Sequence, residues 1–270
     1  MVAKILAFFE FLWSNKERIT ASRKWLLKRL VKDREVAIFG AGGVGKSTLL
    51  KYLAGEYRDV TNVPGEYEES IGIEMTEVSG GKNLVAFAVP GQVSRRATLW
   101  RNLKKKLENG KLNGLVIVSC YGYHDLGRLP LREQALFDPE SPDDFLEEYL
   151  VAKRADEQAI RRELADCCRS RKKKLWILEL ITKQDLWFDE LESVRGEYQP
   201  SMKDLVLGGT TNLDDSQIHV ETILVSFRIH PFESVDGEVL KSSSPKYTSV
   251  LQAESLKRLD RAIDAIMKWN

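Results

Sequence analysis

The stretch Gly40 to Thr48 reads GAGGVGKST, and together with its flanks it fixes most of what this chain can become. The apolar run Val36-Ala37-Ile38-Phe39 precedes it, and the helix-like Leu49-Leu50-Lys51-Tyr52-Leu53-Ala54 follows. Strand, glycine-rich loop and helix in that order, spelling G-x-x-x-x-G-K-[ST], make a phosphate-binding loop. Gly40, Gly42, Gly43 and Gly45, with Ala41 and Val44 between them, let the backbone curl until successive N–H groups point at phosphate oxygens. The positive end of the following helix helps. Lys46 brings a flexible point charge to the β and γ phosphates, Ser47 offers a hydroxyl to Mg²⁺, and Thr48 completes the motif.

The rest of the chain alternates strand and helix signals. Ile71 to Val78 and Leu84 to Val89 flank Ser79-Gly80-Gly81-Lys82, which predicts a hairpin. Leu115 to Cys120, Leu175 to Leu180 and Val220 to Val225 are continuous apolar runs suited to buried parallel strands. Helices are expected at about Arg95 to Leu107, Pro142 to Cys168, and over the final stretch that puts Leu256, Leu259, Ile263, Ile266 and Met267 on one face. The basic run Arg169 and Arg171 to Lys174 suits the negative end of the second of these. The pattern is a doubly wound α/β sheet. Tyr57 to Tyr67, Gly122 to Glu140, Gln199 to Ser216 and Arg228 to Lys246 read as irregular loops.

Composition excludes several functions. With 41 basic and 40 acidic residues the chain has no global attraction for nucleic acid. Three cysteines, Cys120, Cys167 and Cys168, are too few for a disulfide framework and suit a reduced, cytoplasmic protein. No run reaches the roughly 18 to 20 apolar residues of a membrane span, and the N-terminus shows no small-residue cleavage site. The first 31 residues read as a helical extension. Val2, Ile5, Leu6, Phe9, Leu12 and Trp13 form a stripe, and Ser14 with Glu17 opens a second, basic segment. Such an extension either packs on the protein or a partner, or lies peripherally on an anionic membrane surface.

Thr182-Lys183-Gln184-Asp185 follows the Leu175 to Leu180 run directly. A carboxylate there can accept from the N1 and N2 groups of guanine, and the Lys183 stem can lie along a purine. At this point the sequence resembles the Ras-like small GTPases, whose [NT]-K-x-D reads guanine, and within them the Arf-like proteins. Ser70-Ile71-Gly72 is similar to their T-I-G, Pro90-Gly91-Gln92 to the end of their D-x-G-G-Q, and Leu99-Trp100-Arg101 to the L-W-R beyond it. The resemblance implies a P-loop NTPase fold: three layers, α/β/α, around a six-stranded, mostly parallel sheet with one antiparallel hairpin strand. The G domain would span 32–270, with insertions near 122–141, 199–218 and 228–247. GTP or GDP would be the ligand and Mg²⁺ the cofactor, held by Ser47 and Ser70. Thr182, Lys183, Asp185 and Ser226 would hold the base, Gly91 the phosphate side, and Gln92 would orient the attacking water.

One departure stands out. Counting back from Gly91, the family's D-x-x-G aspartate falls on Ala88. Two functions therefore follow from the resemblance. The first is a switch, with slow hydrolysis, whose segments Val60 to Ser70 and Gly91 to Arg96 order around a γ phosphate and are read by a protein effector. The other is a nucleotide-stabilised interaction module without useful turnover. An ATP-dependent P-loop enzyme is a third class, opposed by the T-K-x-D placement.

Overall fold

The chain alternates strands and helices as that pattern requires. Strand β1 (Arg34–Phe39) leads through the glycine loop into helix α1 (Lys46–Ala54). Next come β2 (Glu74–Glu77), β3 (Leu84–Ala88), α2 (Val93–Glu108), β4 (Gly114–Ser119), α3 (Phe145–Arg169) and β5 (Leu175–Ile181). The short helices α4 (Gln184–Trp187), α5 (Leu191–Glu197) and α6 (Met202–Leu207) precede β6 (Ile218–Leu224), a small β7–β8 hairpin (Phe232–Glu233 and Val239–Lys241) and the closing helix α7 (Ser249–Lys268). This computed structural model describes residues 34–56, 73–78, 84–91, 93–127 and 129–269, with the backbone alone at 93–99, 143 and 267. Residues 1–31, the loop 57–67, Ser70-Ile71-Gly72 and Gln92 lie outside the described residues.

Six strands make one sheet in the order β2-β3-β1-β4-β5-β6. Strand β1 pairs parallel with β4, β4 with β5 and β5 with β6, while β2 runs antiparallel to β3. Every residue of β4 and β5 is buried, so both faces of the sheet centre are covered. Fully buried parallel strands can be continuously apolar, and for that reason these runs were readable. The helices meet in two sets: Tyr52 of α1 donates to Asp260 of α7 at 2.9 Å, and Lys104 of α2 pairs with Glu163 of α3. Glu35–Asn270 form one compact unit.

Three details differ from the expectations. Gln199 to Ser216 is not wholly irregular: α6 starts inside it, capped reciprocally by Ser201 and Asp204. The apolar run of β5 contains Glu179, buried and answered by Arg161 of α3 at 2.9 Å. Arg161 also donates to the carbonyls of Tyr198 and Pro200, and Glu179 accepts from the Met202 N–H, so one buried ion pair docks the segment 198–202 against the sheet. The segment Arg228 to Lys246 carries the β7–β8 hairpin, whose Phe232 is buried against Tyr123 and Tyr149. In the basic run, Arg171 is buried and its guanidinium is consumed by the carbonyls of Leu107, Leu112, Lys173 and Lys174.

Candidate functional site

Parallel strands β1, β4 and β5 end at the same edge of the sheet, and the loops leaving them form the site. Gly40, Gly43 and Gly45 have φ of 153°, 73° and 94°, the region that costs glycine nothing. A side chain at Gly40 would also strike the Val118 carbonyl at 2.3 Å. Ala41 and Val44 point into the core, Gly42 and Gly43 are half-exposed, and Lys46, Ser47 and Thr48 open α1. The Lys46 ammonium folds back onto the Ala41 carbonyl at 2.5 Å, across the mouth of the loop.

Gly91 lies directly on this loop. A Cβ there would sit 2.1 Å from the Ala41 carbonyl carbon and 2.4 Å from the Gly42 nitrogen. The indole of Trp100 holds it in place by donating to the Pro90 carbonyl at 2.9 Å and by meeting Phe39 of β1 edge-on. That contact gives the L-W-R similarity a physical content: the tryptophan pins the segment that precedes Gln92 to the phosphate loop.

The residues of the Thr182-Lys183-Gln184-Asp185 motif come to the same edge. The Thr182 hydroxyl donates to the Val44 carbonyl at 2.8 Å and lies 3.2 Å from the Ser119 carbonyl, tying β5's exit to the phosphate loop and to β4. Lys183, at φ 58°, pairs with Asp125, whose own N–H donates to the Gly43 carbonyl. Burial works against the Lys183 ammonium, but Asp125 and other nearby acidic groups hold its pKa above the ordinary lysine value. Its nitrogen lies 5.8 Å from the Phe232 ring.

Asp185 is 1% exposed. One carboxylate oxygen accepts from the Ser226 hydroxyl; the other accepts from the His230 N–H at 3.0 Å and the Ser243 hydroxyl at 2.7 Å. Ser226 thus holds the Asp185 carboxylate, and two further donors come from the segment beyond β6. Three donors fill three of a carboxylate's roughly four acceptor positions.

The loop after β4 is fixed from below. Buried Glu157 of α3 accepts from the Cys120 N–H at 2.8 Å, from the Tyr198 hydroxyl at 2.6 Å, and lies 2.9 Å from His124 Nε2. Burial raises the Glu157 carboxyl, but the bonds from His124, Tyr198 and Cys120 outweigh it and hold the pKa below the ordinary value. Burial pushes the Cys120 thiol up, so this cluster is a closed polar network around a neutral thiol.

On the metal side, the Ser47 hydroxyl donates to the Glu74 carboxylate at 3.2 Å, and Ala88 offers no donor. A hydroxyl beside a carboxylate, both hard oxygen donors, fits Mg²⁺. Sequence reasoning missed Glu74, Asp125, His230 and Ser243. Only the strand register and the fold of the segments after β4 and β6 bring them here.

Fold and site define a P-loop nucleotide-binding α/β protein. The chain belongs to the GTPase family described as 50S ribosome-binding GTPase, whose family model matches residues 35–179. A search of curated proteins found no match. Among solved structures, the mammalian SRP receptor is similar at 14% identity, covering 72% of this chain and 92% of that one, with a TM-score of 0.43. An ADP-ribosylation-factor-like GTP-binding protein, the small COPII coat GTPase of Encephalitozoon cuniculi solved with GDP, is similar at 14% identity over 96% and 93%, with a TM-score of 0.41.

Proposed function

We propose that this chain is a guanine-nucleotide switch of Arf-like type, with slow GTP hydrolysis and a protein effector or regulator that reads the segments around Ser70 and Gln92. The observation that carries this reading is the joint between the two halves of the site. Thr182 bonds the phosphate loop at Val44, and Asp185, three residues on, carries a buried carboxylate that would read guanine. Gly40, Ala41, Gly42, Gly43, Val44, Gly45, Lys46, Ser47 and Thr48 would cradle the phosphates, and Gly91 would lie beside the terminal one. Mg²⁺ would supply charge neutralisation between phosphate oxygens, with Ser47 and Ser70 among its protein donors. Gln92 would orient water. In this reading residues 1–31 are an accessory extension to the G domain that packs on the protein itself or on a partner, or lies on a membrane surface, in the cytoplasm. No helix among the described residues is long and apolar enough to cross a membrane.

Two observations favour a second reading, a nucleotide-stabilised interaction module: Ala88 at the usual aspartate position, and an Asp185 already held by its own chain. Titration of nucleotide-stripped protein with fluorescent GDP, GTP and ATP, followed by phosphate release, separates the two. The switch requires guanine preference with slow turnover, and Asp185→Asn should abolish the preference for GTP over ATP. Guanine binding with no phosphate released supports the module, and a preference for ATP refutes both.

A further inference from the structure

We propose that Glu74 is the protein carboxylate of the divalent-cation site at Ser47, taking over from the neighbouring strand the role for which Ala88 has no acid. The inference rests on the nucleotide-binding reading above and adds to it a residue that the motifs do not name. Three observations converge on it. Glu74 stands directly opposite Ala88 in the antiparallel β2–β3 register. Directly opposed residues point to the same face, with Cβ atoms about 4.5–5.5 Å apart. A glutamate is one methylene longer than an aspartate, so from position 74 its carboxylate can cover ground that an aspartate at 88 would cover.

The face is the inner one. Along β2 the exposure alternates: Glu74 and Thr76 are half-buried, while Met75 is 67% exposed and Glu77 is exposed. The inner face is turned toward α1, and there the carboxylate meets the Ser47 hydroxyl at 3.2 Å. A serine hydroxyl rotates freely and keeps two lone pairs beside its proton. Ser47 can therefore donate to Glu74 and offer a lone pair to a cation in the same arrangement. The hydrogen bond can stay in place while an ion binds at the lone pair of the hydroxyl and at the neighbouring carboxylate.

The test is the Mg²⁺ dependence of GDP binding, read as the ratio of Kd in EDTA to Kd in Mg²⁺, for wild type, Glu74→Gln and Glu74→Gln/Ala88→Asp. The expected result is a clear Mg²⁺ advantage in wild type, and a ratio of Kd in EDTA to Kd in Mg²⁺ that Glu74→Gln reduces at least tenfold. Ala88→Asp in the Glu74→Gln background should restore part of the ratio, a rescue that a merely structural glutamate would not show. Glu74→Gln with the wild-type ratio overturns the assignment and leaves the switch reading intact. A wild-type ratio of one overturns the cation site while nucleotide binding stands. Failure of wild type to bind GDP in either buffer overturns both.

Discussion

Ser243→Ala probes the base pocket directly. The Ser243 hydroxyl donates to the buried Asp185 carboxylate at 2.7 Å; in the proposed complex guanine would bring two N–H groups to a carboxylate with about one acceptor position left, and Ser243 would be the donor that leaves. A hydrogen bond onto an ionised group is worth about 1.5–3 kcal/mol net. Taking the lower end, removal of the hydroxyl raises the fraction of molecules with the segment lifted about tenfold, as long as that form stays in the minority. Apparent Kd is the intrinsic Kd divided by the competent fraction, so GDP affinity should improve about tenfold. The gain should appear in the association rate, because dissociation starts from a complex in which Ser243 has already let go. Stopped-flow mixing with fluorescent GDP measures both rates, and Ser243→Thr, which keeps the donor, should behave as wild type. An affinity equal to or weaker than wild type would refute the reasoning, as would a gain confined to the dissociation rate.

Two further outcomes follow from the geometry. Gly91→Ala would place a methyl 2.1 Å from the Ala41 carbonyl carbon, where backbone rather than a flexible side chain must yield; with overpacking costing ~1–3 kcal/mol, GDP binding should weaken roughly 5- to 150-fold in the same titration. Glu157→Gln turns an acceptor into a group that must also donate toward Cys120, His124 or Tyr198, and an unsatisfied buried group costs about 1–3 kcal/mol, or roughly 3–10 °C of Tm in a chain of this size. The Glu157 pKa is lowered by folding, so its contribution is complete above the unfolded glutamate value near 4.3 and is lost as pH falls through the folded value. Melting curves against pH should therefore show the wild-type advantage at neutral pH shrinking below about pH 4.

The sheet was legible because its central strands are buried on both faces and the sequence there is almost uninterruptedly apolar. The phosphate loop was legible because glycine, lysine and hydroxyl must keep fixed spacing to hold phosphate. Thr182 and Asp185 could be placed since a charged turn after a parallel strand falls at the functional edge of such a sheet. What surrounds them could not. Glu74 shares no local pattern with Ser47, and their meeting depends on a hairpin register and on which way β2 alternates. His230 and Ser243 reach Asp185 from 45 and 58 residues away, through a segment whose glycine, proline and serine content reads only as loop. Glu179 and Arg161 escaped notice for the opposite reason: each is a charge inside an element, and only tertiary packing pairs them.

The hold of His230 and Ser243 on Asp185 has a consequence for how this protein would respond to nucleotide supply. A displaced segment does not diffuse away; it remains tethered beside the pocket, as a competitor whose effective concentration is on the order of millimolar for a short linker and independent of how dilute the protein is. Occupancy would then track the contest between free nucleotide and a fixed internal rival. The emptied protein would also keep the buried Asp185 carboxylate satisfied, so losing the ligand leaves no orphaned charge to unfold around.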